Sequence, residues 1–265
     1  MFKQRLLTTI ILIPLVLAAI FYANYWVFGA VVLLLILGCA LEWVSLVPIQ
    51  SMPVKFLFFT ALLLCCYLIQ ITWLYWLFAG LLMWGMILIF VLQFPKSQVI
   101  WGYPWFVGAL CLLLLPLFGQ SLLAVFLLEK GKGLIVYLLF LVWAADIGAY
   151  LAGKQWGRHK LIPQVSPGKT IEGVSGGFFL SMLVALAGYY FFEPRLTLNW
   201  FMIAAGVVLI SLLGDLFISL LKRRVKVKDT GNLLPGHGGI LDRLDSLIAA
   251  APIFYCGLYF LAPGL

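Results

Sequence analysis

Residues 200–221 read WFMIAAGVVLISLLGDLFISLL, an apolar run as long as a transmembrane helix needs to be. Eight comparable runs lie at residues 6–22, 26–47, 56–71, 74–92, 105–128, 134–152, 174–192 and 247–261. Of the 265 residues, 65% are hydrophobic and only 10% are charged, whereas a soluble domain carries about 25% charged residues. We therefore predict an all-α fold, a polytopic membrane bundle of eight or nine transmembrane helices.

Three places decide the number of spans. The uncharged stretch 56–92 is divided by length alone, at a turn near Gln70. Pro116 and Gly119 are candidate breaks in the fifth run. The N-terminal run resembles a signal peptide, but it is long and lacks a clean cleavage site, so we interpret it as an uncleaved first span. We expect one integral unit, in which residues 1–132 supply the N-terminal helices and residues 133–265 the helices with the polar motifs.

The positive charge of the chain is concentrated near its polar motifs. The net charge is +8, and the loops 153–173 and 222–239 are the most basic. Both loops fall inside the cell if the N-terminus does, as the positive-inside rule favours. No nucleic-acid partner is expected, because the chain has no soluble basic domain. The five cysteines lie in apolar segments and are interpreted as small buried hydrophobic residues.

Residues 219–245, SLLKRRVKVKDTGNLLPGHGGILDRLD, interrupt the apolar pattern. They contain six Lys and Arg residues, three Asp, one His and four Gly. Such a stretch supplies what phosphate chemistry needs, namely carboxylates for a metal, fixed cations and flexible backbone. The basic run also suits a stop-transfer cluster on anionic headgroups, and we expect Arg224 and Lys226 to do only that.

Asp215, Ser219 and Lys222 are spaced i, i+4 and i+7, so they share one helical face. A carboxylate within the membrane is costly, so Asp215 should face a polar cavity and pair with a cation or metal. The alternative is an internal Asp–Lys pair that only fixes helix packing. Lys222, on the same face, is the cation of the basic run that we expect to be catalytic.

A glycine-rich turn precedes two further aspartates. The turn consists of Gly236, His237, Gly238 and Gly239, and it can expose backbone N–H groups to an anion. If a helix begins near Ile240, Asp242 and Asp245 project from one face, and oxygen-only ligands suit Mg²⁺. The alternative is ordinary helix N-terminal acids. His237 is expected to contact phosphate or support the turn.

Two upstream elements also suggest a polar site. Residues 166–173 read SPGKTIEG, a composition typical of phosphate-binding loops, although the glycine spacing is not that of a Walker A motif. Ser166, Lys169 and Thr170 are its candidate substrate contacts. Asp146, one turn before Tyr150, is another carboxylate within a span. It is either a further metal or ribose ligand or a residue that pairs helices.

These motifs together resemble a known family. Residues 219–245 match the signature of the phosphatidate cytidylyltransferases (CDP-diacylglycerol synthases), and Asp146 with Tyr150 and residues 166–173 resemble the upstream elements of that family. The resemblance implies an all-helical membrane enzyme. From the charge of its loops we expect the active site to face the cytoplasm, at a bacterial inner membrane. The resemblance also implies CTP and phosphatidate as substrates, a requirement for Mg²⁺, and a homodimer. Whether a second cation, monovalent or divalent, joins Mg²⁺ is left open at this point.

The resemblance and the chemistry imply the same reaction, in which phosphatidate attacks the α-phosphorus of CTP in line and releases pyrophosphate. The attacking phosphate oxygen is already largely anionic, so catalysis requires charge neutralisation and positioning rather than a base. The expected metal ligands are Asp215, Asp242 and Asp245, with Asp146 as a further candidate. The expected phosphate contacts are the cations Lys222, Arg243 and Lys169, together with Ser219 and the glycine-rich turn.

Other functions use similar chemistry. A CTP-dependent polyprenol or dolichol kinase would make lipid phosphate and CDP instead. A secondary transporter would place an anion site between broken helices in both halves of the chain, whereas the polar motifs here lie in the last 120 residues. A CDP-alcohol phosphotransferase would need spaced aspartates after an Asp-Gly start, which is absent.

Overall fold

The computed structural model describes residues 13–47, 49, 51–231 and 238–262. Its helices are α1 (Ile13–Tyr22), α2 (Tyr25–Leu46), α3 (Met52–Ile71), α4 (Trp73–Leu92), α5 (Gln98–Trp101), α6 (Pro104–Phe126), α7 (Gly131–Trp156), α8 (Ile171–Phe192), α9 (Thr197–Arg224) and α10 (Leu241–Leu261). Two strands, β1 (Lys160–Ile162) and β2 (Ser166–Thr170), separate α7 from α8. Within the described residues, eight helices, all but α1 and α5, are long and apolar enough to cross a membrane. The predicted all-α membrane bundle is confirmed.

Two details of the span prediction are settled by the structure. The turn expected near Gln70 is confirmed, since α3 ends at Ile71 and α4 begins after Thr72. The candidate break in the fifth run is absent, because Pro116 and Gly119 both lie inside the continuous helix α6. A transmembrane helix tolerates an internal proline when neighbouring groups satisfy the freed carbonyl. The first predicted span, 6–22, falls partly outside the described residues, so a ninth span stays a prediction.

Glycines bring the motif-bearing helices into close contact. Gly148 of α7 lies directly against the backbone of Gly176 and Gly177 in α8. Gly214 of α9 lies against the carbonyl oxygen of Asp245 in α10. A larger side chain at any of these positions would meet backbone atoms, and small residues are what allow membrane helices to approach so closely. The helices α7, α8, α9 and α10 can therefore surround a common space.

The two basic loops lie at the same end of the bundle. The strands β1 and β2 form an antiparallel hairpin in which Lys160 is opposite Thr170. Near the end of α9, Arg223 donates a hydrogen bond from Nε to the Val165 carbonyl oxygen of this hairpin at 3.2 Å. The loop before α8 and the loop after α9 are therefore on one side of the bundle, as the charge pattern predicts.

Arg224 has a role that its sequence context did not suggest. Its Nε donates to the Gly102 carbonyl oxygen at 2.7 Å and its Nη1 to the Leu46 carbonyl oxygen at 3.0 Å. These carbonyls lie at the C-terminal ends of α5 and α2, where backbone oxygens have no partner within the helix. The prediction that Arg224 only contacts lipid headgroups is wrong, because this side chain ties the end of α9 to two other helices.

Candidate active site

A polar cavity of about 320 Å³ lies where α7, α9 and α10 meet the loop after α9. It is lined by Asp146, Asp215, Lys222, Asp229, Asp242, Arg243, Asp245 and Ser246. Five carboxylates thus share one space with two cations, and like charges this close repel one another unless cations sit among them. Six of these residues are ones that the sequence had singled out, and the packing of three separate helices brings them together.

Lys222 and Asp242 form an ion pair between α9 and α10. Lys222 Nζ lies 2.6 Å from Asp242 Oδ1, and both side chains are largely buried. Asp242 Oδ2 accepts hydrogen bonds from the Thr230 N–H at 2.8 Å, the Thr230 hydroxyl at 2.9 Å and the Gly239 N–H at 3.2 Å. Both oxygens of Asp242 are therefore engaged by protein donors, and this carboxylate fixes the backbone just before α10.

Asp215 pairs with the hairpin rather than with Lys222 of its own helix. Lys169 Nζ lies 2.5 Å from Asp215 Oδ2, and the Ser219 hydroxyl donates to Asp215 Oδ1 at 3.3 Å. Asp215 and Lys222 nevertheless line the same cavity, as their spacing on one helical face requires. The cation that the sequence assigned to Asp215 is thus supplied by β2, which lies between α7 and α8 in the chain.

A second cavity of about 240 Å³ adjoins the first and is mostly apolar. Its apolar lining comes from α7, α8 and α9 and includes Ala145, Ala149, Val174, Phe178, Val208, Leu209 and Leu212. Asp146 and Asp215 line both cavities, and Lys169 lines the apolar one beside them. The boundary between a polar and an apolar space is therefore occupied by two carboxylates and one lysine.

The carboxylates of the polar cavity suit Mg²⁺ as a donor set. Among the described residues, no three His, Cys, Asp or Glu side chains are close enough together to hold a metal by themselves. Mg²⁺ does not need three, since it keeps several waters and is bound through one or two carboxylates plus substrate phosphates. Asp245 accepts a hydrogen bond at Oδ1 from the adjacent Ser246 N–H at 2.7 Å. Asp146, Asp215, Asp242 and Asp245 all line the polar cavity and can supply the one or two carboxylates that such an ion needs.

Several expected substrate contacts have local structural partners. Thr170 is buried, and its hydroxyl accepts the Gly173 N–H at 3.1 Å, so it caps α8. Ser166 begins β2 and lines neither cavity. The Gly239 N–H donates to the Asp242 carboxylate at 3.2 Å, so this backbone donor of the turn has a partner within the chain. Gly238 has a φ of 82°, which favours glycine.

Two of the predicted contacts, Gly236 and His237, lie outside the described residues. Three residues near the site were missed by the sequence reasoning. Asp229 lines the polar cavity, and Thr230 is hydrogen-bonded to Asp242. Glu42 of α2 is buried, and its carboxylate contacts Thr230 and the start of α10. A single acidic residue inside an apolar run was the available signal for Glu42, because such residues are costly unless paired.

Comparisons with known proteins identify the family of this chain. The sequence profile described as the cytidylyltransferase family matches residues 3–261. The chain is 39% identical to the phosphatidate cytidylyltransferase of Pseudomonas aeruginosa over 276 aligned residues, and the alignment covers 96% of each chain. It is 36% identical over 299 residues to the phosphatidate cytidylyltransferase of Haemophilus influenzae, covering 98% of this chain and 99% of the relative. The chain therefore belongs to the cytidylyltransferase family, as the resemblance of its polar motifs indicated.

Proposed function

We propose that this enzyme transfers the cytidylyl group of CTP to phosphatidate, giving CDP-diacylglycerol and pyrophosphate for phospholipid synthesis. Its relatives carry the name of this activity. The observation that carries the proposal is the pair of adjoining cavities, one polar and one mostly apolar, that meet at Asp146, Asp215 and Lys169. A reaction between a water-soluble triphosphate and a membrane lipid needs such a boundary.

The charges of the two cavities suggest how the substrates are divided between them. The triphosphate of CTP belongs in the polar cavity, beside Lys222 and Arg243. The phosphate of phosphatidate belongs near Lys169, whose Nζ already pairs with a carboxylate oxygen of Asp215. The acyl chains of the lipid then extend along the apolar cavity between α7, α8 and α9. In this arrangement the lipid enters sideways from the bilayer, whereas CTP enters from the aqueous side.

In the proposed reaction, a phosphate oxygen of phosphatidate forms a bond to the α-phosphorus of CTP. The bond from that phosphorus to the oxygen bridging it to the β-phosphorus breaks, and its electron pair leaves with pyrophosphate. The nucleophile is already an anion, so the chain need not supply a base. Lys222, Arg243 and Lys169 reduce the repulsion between the two polyanions and hold them in line.

A divalent cation is part of the proposal. Mg²⁺ held by one or two of the carboxylates of Asp146, Asp215 and Asp245, together with substrate phosphates, would neutralise charge on the phosphate oxygens. The excess of carboxylates over cations in the polar cavity supports this assignment, since CTP would otherwise meet a negatively charged wall. The proposal also allows a second cation, monovalent or divalent, in the same cavity.

The activity is tested with the purified protein in detergent, supplied with labelled CTP, phosphatidate and Mg²⁺. The expected products are labelled CDP-lipid and pyrophosphate in equal amounts. In a parallel assay, a polyprenol replaces phosphatidate. Formation of lipid phosphate and CDP in that assay would instead identify a lipid kinase. Absence of any lipid product, together with transport of an anion into proteoliposomes, would identify a transporter.

We also propose that the site faces the cytoplasm of a bacterial inner membrane and that the enzyme is a homodimer. Both basic loops lie at one end of the bundle, joined by the hydrogen bond between Arg223 and Val165. The positive-inside rule places that end in the cytoplasm. Light scattering of the purified protein in detergent tests the dimer, because it measures the protein mass in each protein–detergent complex. A homodimer has twice the mass of one chain.

The orientation predicts a labelling pattern in intact cells. In a background without the native cysteines, Arg158→Cys in the loop before α8 should resist a membrane-impermeant thiol reagent. The matched control is Arg195→Cys, an exposed position in the loop between α8 and α9 at the other end of the bundle, which should be labelled readily. Labelling of Arg158→Cys from outside, with protection of Arg195→Cys, would reverse the orientation.

A further inference from the structure

Glu42 lies in α2, far in the sequence from every polar motif, yet it contacts the start of α10. Its side chain is 4% exposed. Glu42 Oε1 accepts the Ile240 N–H at 2.9 Å, and Oε2 accepts the Leu241 N–H at 2.8 Å. The first N–H groups of a helix have no partner within it and attract negative charge. Glu42 therefore supplies that charge from a residue 198 positions away from Ile240.

The same carboxylate is also joined to the loop that follows α9. The Thr230 hydroxyl lies 3.0 Å from Glu42 Oε2 and 2.9 Å from Asp242 Oδ2, so its hydrogen can be donated to either carboxylate. Gly231 and Gly239 lie directly against the Glu42 carboxyl group, where any side chain of their own would collide with it. Thr230, Gly231 and Gly239 thus lie close around Glu42, and Thr230 connects Glu42 to Asp242.

Glu42 does not line either cavity, so it has no direct path to a substrate. Asp242, which it reaches through Thr230 and the start of α10, is paired with Lys222 at 2.6 Å. At the start of α10, Asp242 accepts the Gly239 N–H, and Glu42 accepts the Ile240 and Leu241 N–H groups. What the distant acid adds is a fixed position of α10 relative to α2.

We propose that Glu42 is a positioning residue, which holds the loop after α9 and the start of α10 so that the Lys222–Asp242 pair faces the polar cavity. This inference rests on the proposed function only for its effect on turnover. The contacts themselves predict that the loop and the first turn of α10 are less protected when the carboxylate is lost. The kinetic and the structural consequences can therefore be measured separately.

The kinetic test compares Glu42→Gln with Glu129→Gln, an exposed acid in the loop between α6 and α7. A glutamine nitrogen cannot accept an N–H, so Glu42→Gln leaves one backbone donor of α10 without its acceptor. Loss of such a supporting partner typically lowers activity about 10–100-fold. We expect that decrease in kcat with little change in the KM for phosphatidate, and no decrease in Glu129→Gln. Equal kcat values in both variants would overturn the inference.

A double-mutant cycle separates positioning from general destabilisation. If Glu42 acts through the Lys222–Asp242 pair, Glu42→Gln should cost much less in a Lys222→Met background than in the wild type. Full additivity of the two losses would mean that Glu42 does not act through that pair. Thr230→Val, which removes the connecting hydroxyl at nearly constant shape, should show the same coupling and serves if Glu42→Gln does not fold.

Hydrogen exchange supplies a readout that does not depend on turnover. Glu42→Gln should increase deuterium uptake in peptides covering residues 238–245, with α7 and α8 unchanged. Unaltered uptake in that segment, or an increase spread evenly over all helices, would contradict the inference. If the wild type makes no CDP-diacylglycerol but the local increase is seen, the proposed function fails while the positioning role stands.

Discussion

Replacing Asp245 with asparagine is expected to lower CDP-diacylglycerol formation about 10³-fold or more while the protein still folds in detergent. Asp245 lines the polar cavity from the first turns of α10, beside Asp146 and Asp215. Its Oδ1 accepts the adjacent Ser246 N–H, and a carboxylate that accepts one hydrogen bond still has lone pairs on both oxygens for a cation. A metal that stabilises transition-state charge contributes several kcal/mol, and each 1.4 kcal/mol is about tenfold in rate.

The measurement is the initial rate over a Mg²⁺ titration, with the thermal midpoint in detergent as the check on folding. The asparagine variant should need far more Mg²⁺ or fail to saturate. Substantial activity at the wild-type Mg²⁺ concentration would remove Asp245 from the metal site.

Asp242→Asn provides the comparison within the same helix. It should also abolish turnover, but for a different reason, because both Asp242 oxygens already accept protein donors, including Lys222 and Thr230. Losing this carboxylate releases Lys222 and the backbone before α10, and excess Mg²⁺ should not restore activity. If excess Mg²⁺ restores activity to Asp242→Asn and not to Asp245→Asn, our assignment of Asp245 as the metal ligand and of Asp242 as the structural partner is wrong.

Lys222→Met is expected to reduce the rate about 10²–10³-fold, which corresponds to roughly 2.7–4 kcal/mol for one preorganised electrostatic contact. The Lys222 ammonium is held by Asp242 at 2.6 Å and lines the cavity proposed for the triphosphate. A buried cation next to transferring phosphoryl groups acts far more strongly than one in water. The effect should fall on kcat with phosphatidate and CTP at saturation.

The matched control for Lys222→Met is Lys226→Met. Lys226 is exposed just after α9, so its charge contributes only about 1 kcal/mol of attraction to anionic headgroups. Arg224 is not a suitable control, because it ties α9 to the carbonyls of Gly102 and Leu46, and its loss should lower the thermal midpoint. Similar rate losses for Lys222→Met and Lys226→Met would show that the Lys222 charge has no special position.

Much of the architecture could be predicted because it depends on local properties. The lengths of the apolar runs were enough to predict a helical membrane bundle, since a span needs about 20 apolar residues whatever its neighbours are. Helical periodicity was enough to place Asp215, Ser219 and Lys222 on one face. The sequence left open whether Pro116 breaks its helix, because that depends on the packing around the proline.

The sequence predicted only part of the site, namely which residues line it but not how they pair. The polar signature identified six of the residues that line the polar cavity, because charged groups stand out in an apolar chain. Their partners did not follow from spacing. Asp215 was expected to pair with a cation or metal, and the cation is Lys169 of the hairpin, whereas Lys222 pairs with Asp242 on α10.

The residues that support the site from a distance could be identified only from the tertiary structure. Glu42 and Arg224 contact groups more than 100 positions away in the sequence, and no periodic pattern encodes such a contact. Apolar length and helical spacing follow from the bilayer and the backbone, so the chain alone determined its fold class and its polar faces. Which carboxylate meets which cation is set by how α2, α9, α10 and the hairpin pack together, because an ion pair depends on the distance between atoms of separate elements.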